Sequence, residues 1–164
     1  MKRTSFLLLT MFLCFGFPGL FSPASDPAKP PAVKLSFSLV PIEPKAKDDQ
    51  LRKLLIARYN EVLLEMKEAV RVHKTTGLGI PDALFSVSRR VLQAAVELGS
   101  DPAERVVLLT PVLEQVKNLE AVMEQMAKGN FPTDRSYLAP RFRSLRLEVE
   151  IQILRAKKII PKGQ

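Results

Sequence analysis

The hydrophobic pattern changes period once along this chain. In VKLSFSLV, Val33, Leu35, Phe37 and Leu39 alternate with Lys34, Ser36 and Ser38, the period of two expected of a strand over 33–40. From Asp49 onward the spacing becomes helical. Leu51, Leu55, Val62, Met66, Ala69 and Val70 form one broad stripe and predict a first helix running to about Thr75. Lys74 near its end and Gly77 just beyond read as a stop, and GLGIP as a turn. Asp82 then opens a second helix whose Leu84, Val87, Val91, Ala94 and Leu98 step three and four, like a coiled-coil seam. GSDPAE ends that helix at Gly99 and starts a third, with Asp101 as N-cap, Pro102 in the first turn and Glu104 three after the cap. Leu109, Val112, Val116, Leu119, Met123 and Met126 repeat the seam. Pro111 within it predicts a kink or the helix's real start. After Lys128-Gly129 and the turn NFPT, a fourth helix is expected from Asp134 to about Ile160 through Leu138, Phe142, Leu145, Val149 and Ile153, with Pro140 bending its first turns.

The pattern is used twice. EAVRVHKTTG begins at Glu68 and EAVMEQMAKG at Glu120, 52 residues later. At that offset Asp49 matches Asp101, Gly77 matches Gly129, Asp82 matches Asp134, Arg89 matches Arg141, and Phe85 and Tyr137 are both aromatic. The identities bracket helix starts, ends and turns, so the repeating unit is a helical hairpin. The expected fold is all-α, with four helices as two repeated antiparallel hairpins over 49–160. The first repeat spans 49–98 and the second 101–154, either closed as a bundle or extended as coiled-coil-like pairs. The hairpin turns fall at Gly77, Gly79, Pro81 and Asp82, and at Gly129, Pro132 and Asp134.

What precedes the helices is of another kind. MKR followed by the apolar run FLLLTMFLCFGF and the small residues SPA reads as a secretory signal peptide over 1–24, cut after Ala24. The rival, an uncleaved anchor, has an apolar run short of the roughly 20 residues of a bilayer span and broken by Pro18-Gly19. Residues 25–48 form a Pro-rich arm containing the strand pattern, read as an arm packed on the helices or as a strand added to a partner's edge. The only cysteine, Cys14, lies in the signal, so the exported chain makes no disulfide and helix packing must hold it together.

Charge narrows the partners. The net charge is +8, and it is unevenly spread. Residues 134–164 carry eight Lys or Arg against three acids, whereas 97–127 carry six acids against Arg105 and Lys117. The two stretches therefore favour lying side by side, with the arginines paired to Glu114, Glu120 and Glu124. The competing reading makes Arg141, Arg143, Arg146, Arg155, Lys157 and Lys158 contacts for an anionic lipid or envelope polymer. Export disfavours nucleic acid as the partner of this basic helix.

No catalytic pattern emerges. His73 is the single histidine and stands without cysteine or clustered carboxylates, which argues for a structural side chain and no metal. Ser86 and Ser88 have no second histidine as base, and no glycine-rich phosphate loop or other cofactor motif occurs. Met66, Met123 and Met126 belong to the seams. The expectation is a non-enzymatic protein without cofactor, docking to a protein partner or to itself through its helical seams; the alternative is a periplasmic binding or holding protein whose basic fourth helix and Pro-rich arm engage an anionic surface or a client chain.

HKTTGLGIPDALFSVSRRVLQAAVEL and, more loosely, MAKGNFPTDRSYLAPRFRSLRLEVEI resemble the hairpins of TolC-type outer-membrane efflux factors, which also carry two structural repeats. The resemblance covers about 51–154 and rests on a Gly-turn-Asp-Leu pattern. It implies an envelope location, helix-to-helix docking and a link to envelope transport. The family's barrel strands have no counterpart beyond the single pattern at 33–40, and no channel residue carries over.

Overall fold

The computed structural model describes residues 37–76, 81–128 and 137–160. The expected signal peptide over 1–24, the arm up to residue 36, and Gly77, Gly79, Gly129, Pro132 and Asp134 lie outside the described residues. Four helices follow one another: α1 (Gln50–Thr76), α2 (Pro81–Leu98), α3 (Pro102–Lys128) and α4 (Leu138–Ile159). The fold is all-α, with two antiparallel hairpins in sequence, as the pattern predicts.

Corresponding aspartates start the first helix of each hairpin. Asp49 Oδ1 accepts the Arg52 amide at 2.7 Å, and Asp101 Oδ1 accepts the Glu104 amide at 2.8 Å, each filling an otherwise unpaired donor of a first turn. Glu104 also reaches back, accepting from the Ser100 amide at 3.1 Å. The α2–α3 junction is tight enough to require Gly99: a Cβ there would stand 2.9 Å from the Arg105 Cα. The Arg105 guanidinium in turn donates to the Gly99 carbonyl at 3.0 Å.

α2 is the centre of the assembly. It packs on α1, α3 and α4, while α1 makes no close backbone packing with α3 or α4 among the described residues. The helices therefore form neither a closed four-cornered bundle nor two separate extended pairs. They make two hairpins stacked through α2. The seams predicted for α2 and α3 are the observed core: Leu84, Val91, Leu98, Leu109, Val116, Leu119 and Met123 are all buried. Phe142 of α4 is completely buried and meets Phe85 edge to face, ring centroids 5.5 Å apart.

Three expectations need correction. Leu51 is 65% exposed, while the rest of the predicted α1 stripe turns inward, with Val62, Met66 and Val70 buried and Leu55 and Ala69 partly so, and Ile56, Tyr59 and Leu63 join it. The start of this helix is apolar on several sides, so periodicity alone does not choose the face; packing on α2 does. Pro111 neither starts nor ends a helix, since α3 continues from Pro102 through it. The carbonyl that its missing N–H deprives belongs to Val107, which is 70% exposed and open to water. The repeat also slips between helices. Leu84, Ser88, Val91 and Ala95 of α2 correspond in burial to Leu138, Phe142, Leu145 and Val149 of α4, two residues out of step with the Glu-Ala-Val identities. Arg89 and Arg141 thus match in sequence but not in helix face, a shift made room for by the longer α3–α4 connection.

Of the strand pattern, the described part, Phe37–Val40, belongs to no sheet and packs as an arm. Leu39 is 5% exposed and sits among Met66 of α1, Ser88 and Val91 of α2, and Val112, Gln115 and Val116 of α3. The arm occupies the space that α1 and α3 leave between them.

Candidate functional site

The basic face of α4 divides into two halves. Towards its N-terminus the arginines are engaged internally. Arg141 pairs with Asp82, the one turn aspartate within the described residues, which also accepts the Tyr137 hydroxyl at 3.0 Å. The same guanidinium lies 4.2 Å from the Phe85 ring centroid, a cation–π contact. Arg143 donates to Glu120 at 3.2 Å and Glu124 at 2.6 Å, and Arg146 donates to Glu120 at 2.7 Å and Glu150 at 2.9 Å. Glu120, only 8% exposed, is thus held by two arginines, and hydrogen bonds to these carboxylates raise the pKa of both guanidinium groups. Glu114, the third acid expected to face α4, pairs within α3 with Lys117 at 2.9 Å.

Towards the C-terminus the picture reverses. Arg155, Lys157 and Lys158 are exposed, and none forms an ion pair among the described residues. Beside them lies a feature that the sequence reading missed. Leu147, Ile151 and Leu154 are 47%, 47% and 65% exposed, and their four-then-three spacing puts them on one side of α4. Phe142, Leu145 and Val149 occupy the opposite, buried side. α4 is therefore apolar on two sides, and only one is used by the fold. The signal was a second stripe running beside the core stripe in LRLEVEIQIL. The region combines an apolar strip with adjacent unpaired cations, an arrangement suited to docking.

At the other end of the molecule Arg52 of α1 ties to both helices of the α2–α3 junction. It pairs with Glu104, with a second contact at 3.2 Å, and donates to the Leu98 carbonyl at 3.3 Å. For the Glu104 carboxyl, partial burial works to raise its pKa, but hydrogen bonds from Arg52 and Ser100 outweigh it and hold the group below its ordinary value of 4.5.

No protein-family model, curated protein or solved structure matches this chain. Among the described residues no three His, Cys, Asp or Glu side chains converge as a metal set would, and no helix is long and apolar enough to cross a membrane. His73 is half-buried near the end of α1.

Proposed function

We propose that this protein is an exported, non-enzymatic helical interaction module of the cell envelope, docking through the outward side of α4. The observation that carries the reading is the exposed strip of Leu147, Ile151 and Leu154 on a helix whose opposite side already fills the core. Three apolar side chains in register leave area that association would remove from water, worth about 25 cal/mol per Å². The hairpin architecture is also what a resemblance to TolC-type factors implies, and it extends the proposal to envelope transport.

Light scattering after size exclusion, over a range of concentrations, tests it. A concentration-dependent oligomer that returns to monomer in Ile151→Glu or Leu154→Glu supports docking through α4. Both positions are exposed, so these changes leave the core intact. An unchanged oligomer in both variants would remove α4 as the seam.

The unpaired Arg155, Lys157 and Lys158 favour a second reading, contact with an anionic lipid surface. It predicts co-sedimentation with vesicles containing phosphatidylglycerol but not with neutral ones, weakening with salt and in Arg155→Glu combined with Lys158→Glu. Equal partition to both vesicles would count against it.

A further inference from the structure

The arm over residues 37–42 is seated as an extended peptide would be in a binding groove. Asn60 of α1 grips one residue of it by the backbone alone: its side-chain oxygen accepts the Ile42 amide at 2.9 Å and its side-chain nitrogen donates to the Ile42 carbonyl at 2.8 Å. Recognition of that form ignores the side chain at the gripped position. Leu39 supplies the apolar anchor, buried among three helices, and Phe37 and Ile42 are partly buried against the core.

The fit is incomplete. Gln115, 1% exposed, lies against Leu39 with neither its side-chain oxygen nor its nitrogen hydrogen-bonded. The space around it is too small to admit a water. A buried amide without partners opposes closure of the arm, because it is hydrated when the groove is open. Between the arm and α1 lies a further, mostly apolar pocket, lined by Phe37, Leu39 and Pro41 of the arm and by Leu63, Leu64 and Val70 of α1, together with charged α1 residues.

We infer that the groove between α1 and α3 is a binding site for extended polypeptide segments that carry an apolar anchor with a backbone-gripped residue three positions on, and that residues 37–42 are its resident occupant, displaceable by such a segment from another protein. The arm shows that the groove accepts this chemistry. The Asn60 grip supplies backbone recognition, and the unpaired Gln115 amide leaves the resident arm short of the best fit. This surface is separate from the outward side of α4 and does not depend on it.

The test is titration of a fluorescein-labelled peptide, SFSLVPIE, onto the full chain by fluorescence anisotropy. Two variants weaken the resident arm without altering the groove wall: Ile42→Pro removes the N–H that Asn60 accepts, and Leu39→Asp makes the anchor unfavourable. Both are expected to bind the peptide at least about ten-fold more tightly than the native chain, as relief of an intramolecular competitor predicts. Adding Asn60→Leu to Ile42→Pro should abolish that gain, and a peptide with Asp in place of its leucine should bind none of them. Equal affinity for native and variant chains would overturn the inference. Loss of helical circular dichroism in both arm variants would also overturn it, by making the arm an inseparable part of the core. A dimer of the native chain that the peptide does not dissolve would assign the groove to a second copy instead.

Discussion

The α3–α4 hairpin closes on itself. Glu120 lies nearly buried between Arg143 and Arg146, and beside it the two helices pack along their length around Phe142 and Leu145. Between α1 and α2 the ion pairs are exposed, Arg58 with Glu97 and Arg90 with Glu65, and the edge of their buried core is sealed by the arm. Exposed pairs of that kind contribute about 0–1 kcal/mol each. The difference teaches that one repeat pattern does not yield one mode of cohesion. The second hairpin carries its own closure, and the first is completed by a segment outside the repeat.

The largest expected effect comes from breaking the self-sufficient side. Phe142→Ala removes a fully buried ring that also contacts Phe85, and should lower unfolding free energy by about 3–5 kcal/mol in urea titration. A loss under about 1 kcal/mol would show that the second hairpin does not depend on this ring. Next, Asp49→Ala and Asp101→Ala probe the same cap in the two hairpins, each expected to cost about 1 kcal/mol. Asp101→Ala should be the more costly, because its helix start also holds the Ser100 contacts to the Glu104 carboxylate. The reverse order would undo that ranking. The smallest effect is with pH. The Glu104 carboxyl is held below its ordinary value in the folded chain, so its contribution is fully present above the unfolded carboxylate range. It is lost as pH falls through the folded value. Glu104→Gln should therefore flatten the acid side of the stability curve below about pH 4.5 and leave its shape on the alkaline side unchanged.

Much of this arrangement was legible in the sequence, for reasons that can be named. α2 and α3 each present a single unambiguous seam, and Asp49 and Asp101 are caps whose chemistry acts within one turn. Local signals of that kind need no knowledge of the rest of the fold. α1 was harder because Leu51, Leu54, Ile56, Leu63 and Leu64 surround the helix, so only the position of α2 selects its buried face. The opposition of an acidic α3 and a basic α4 was visible as composition, yet which cations pair depends on side-chain reach. Arg143 and Arg146 reach Glu120, whereas Arg155, Lys157 and Lys158 find no acid among the described residues. The Asn60–Ile42 grip joins positions 18 apart through one side-chain amide, and no periodicity announces such a contact.

The apolar outer strip of α4 has a further meaning for a chain built by repetition. Stacked hairpin arrays need a polar face on their last element to end the series. On one side of this molecule the arm fills the groove between α1 and α3, a closure supplied from outside the repeat. On the outward side of α4, Leu147, Ile151 and Leu154 leave the array without its stop. If the outward side of α4 docks as proposed, a further hairpin contributed by another protein would continue the array there.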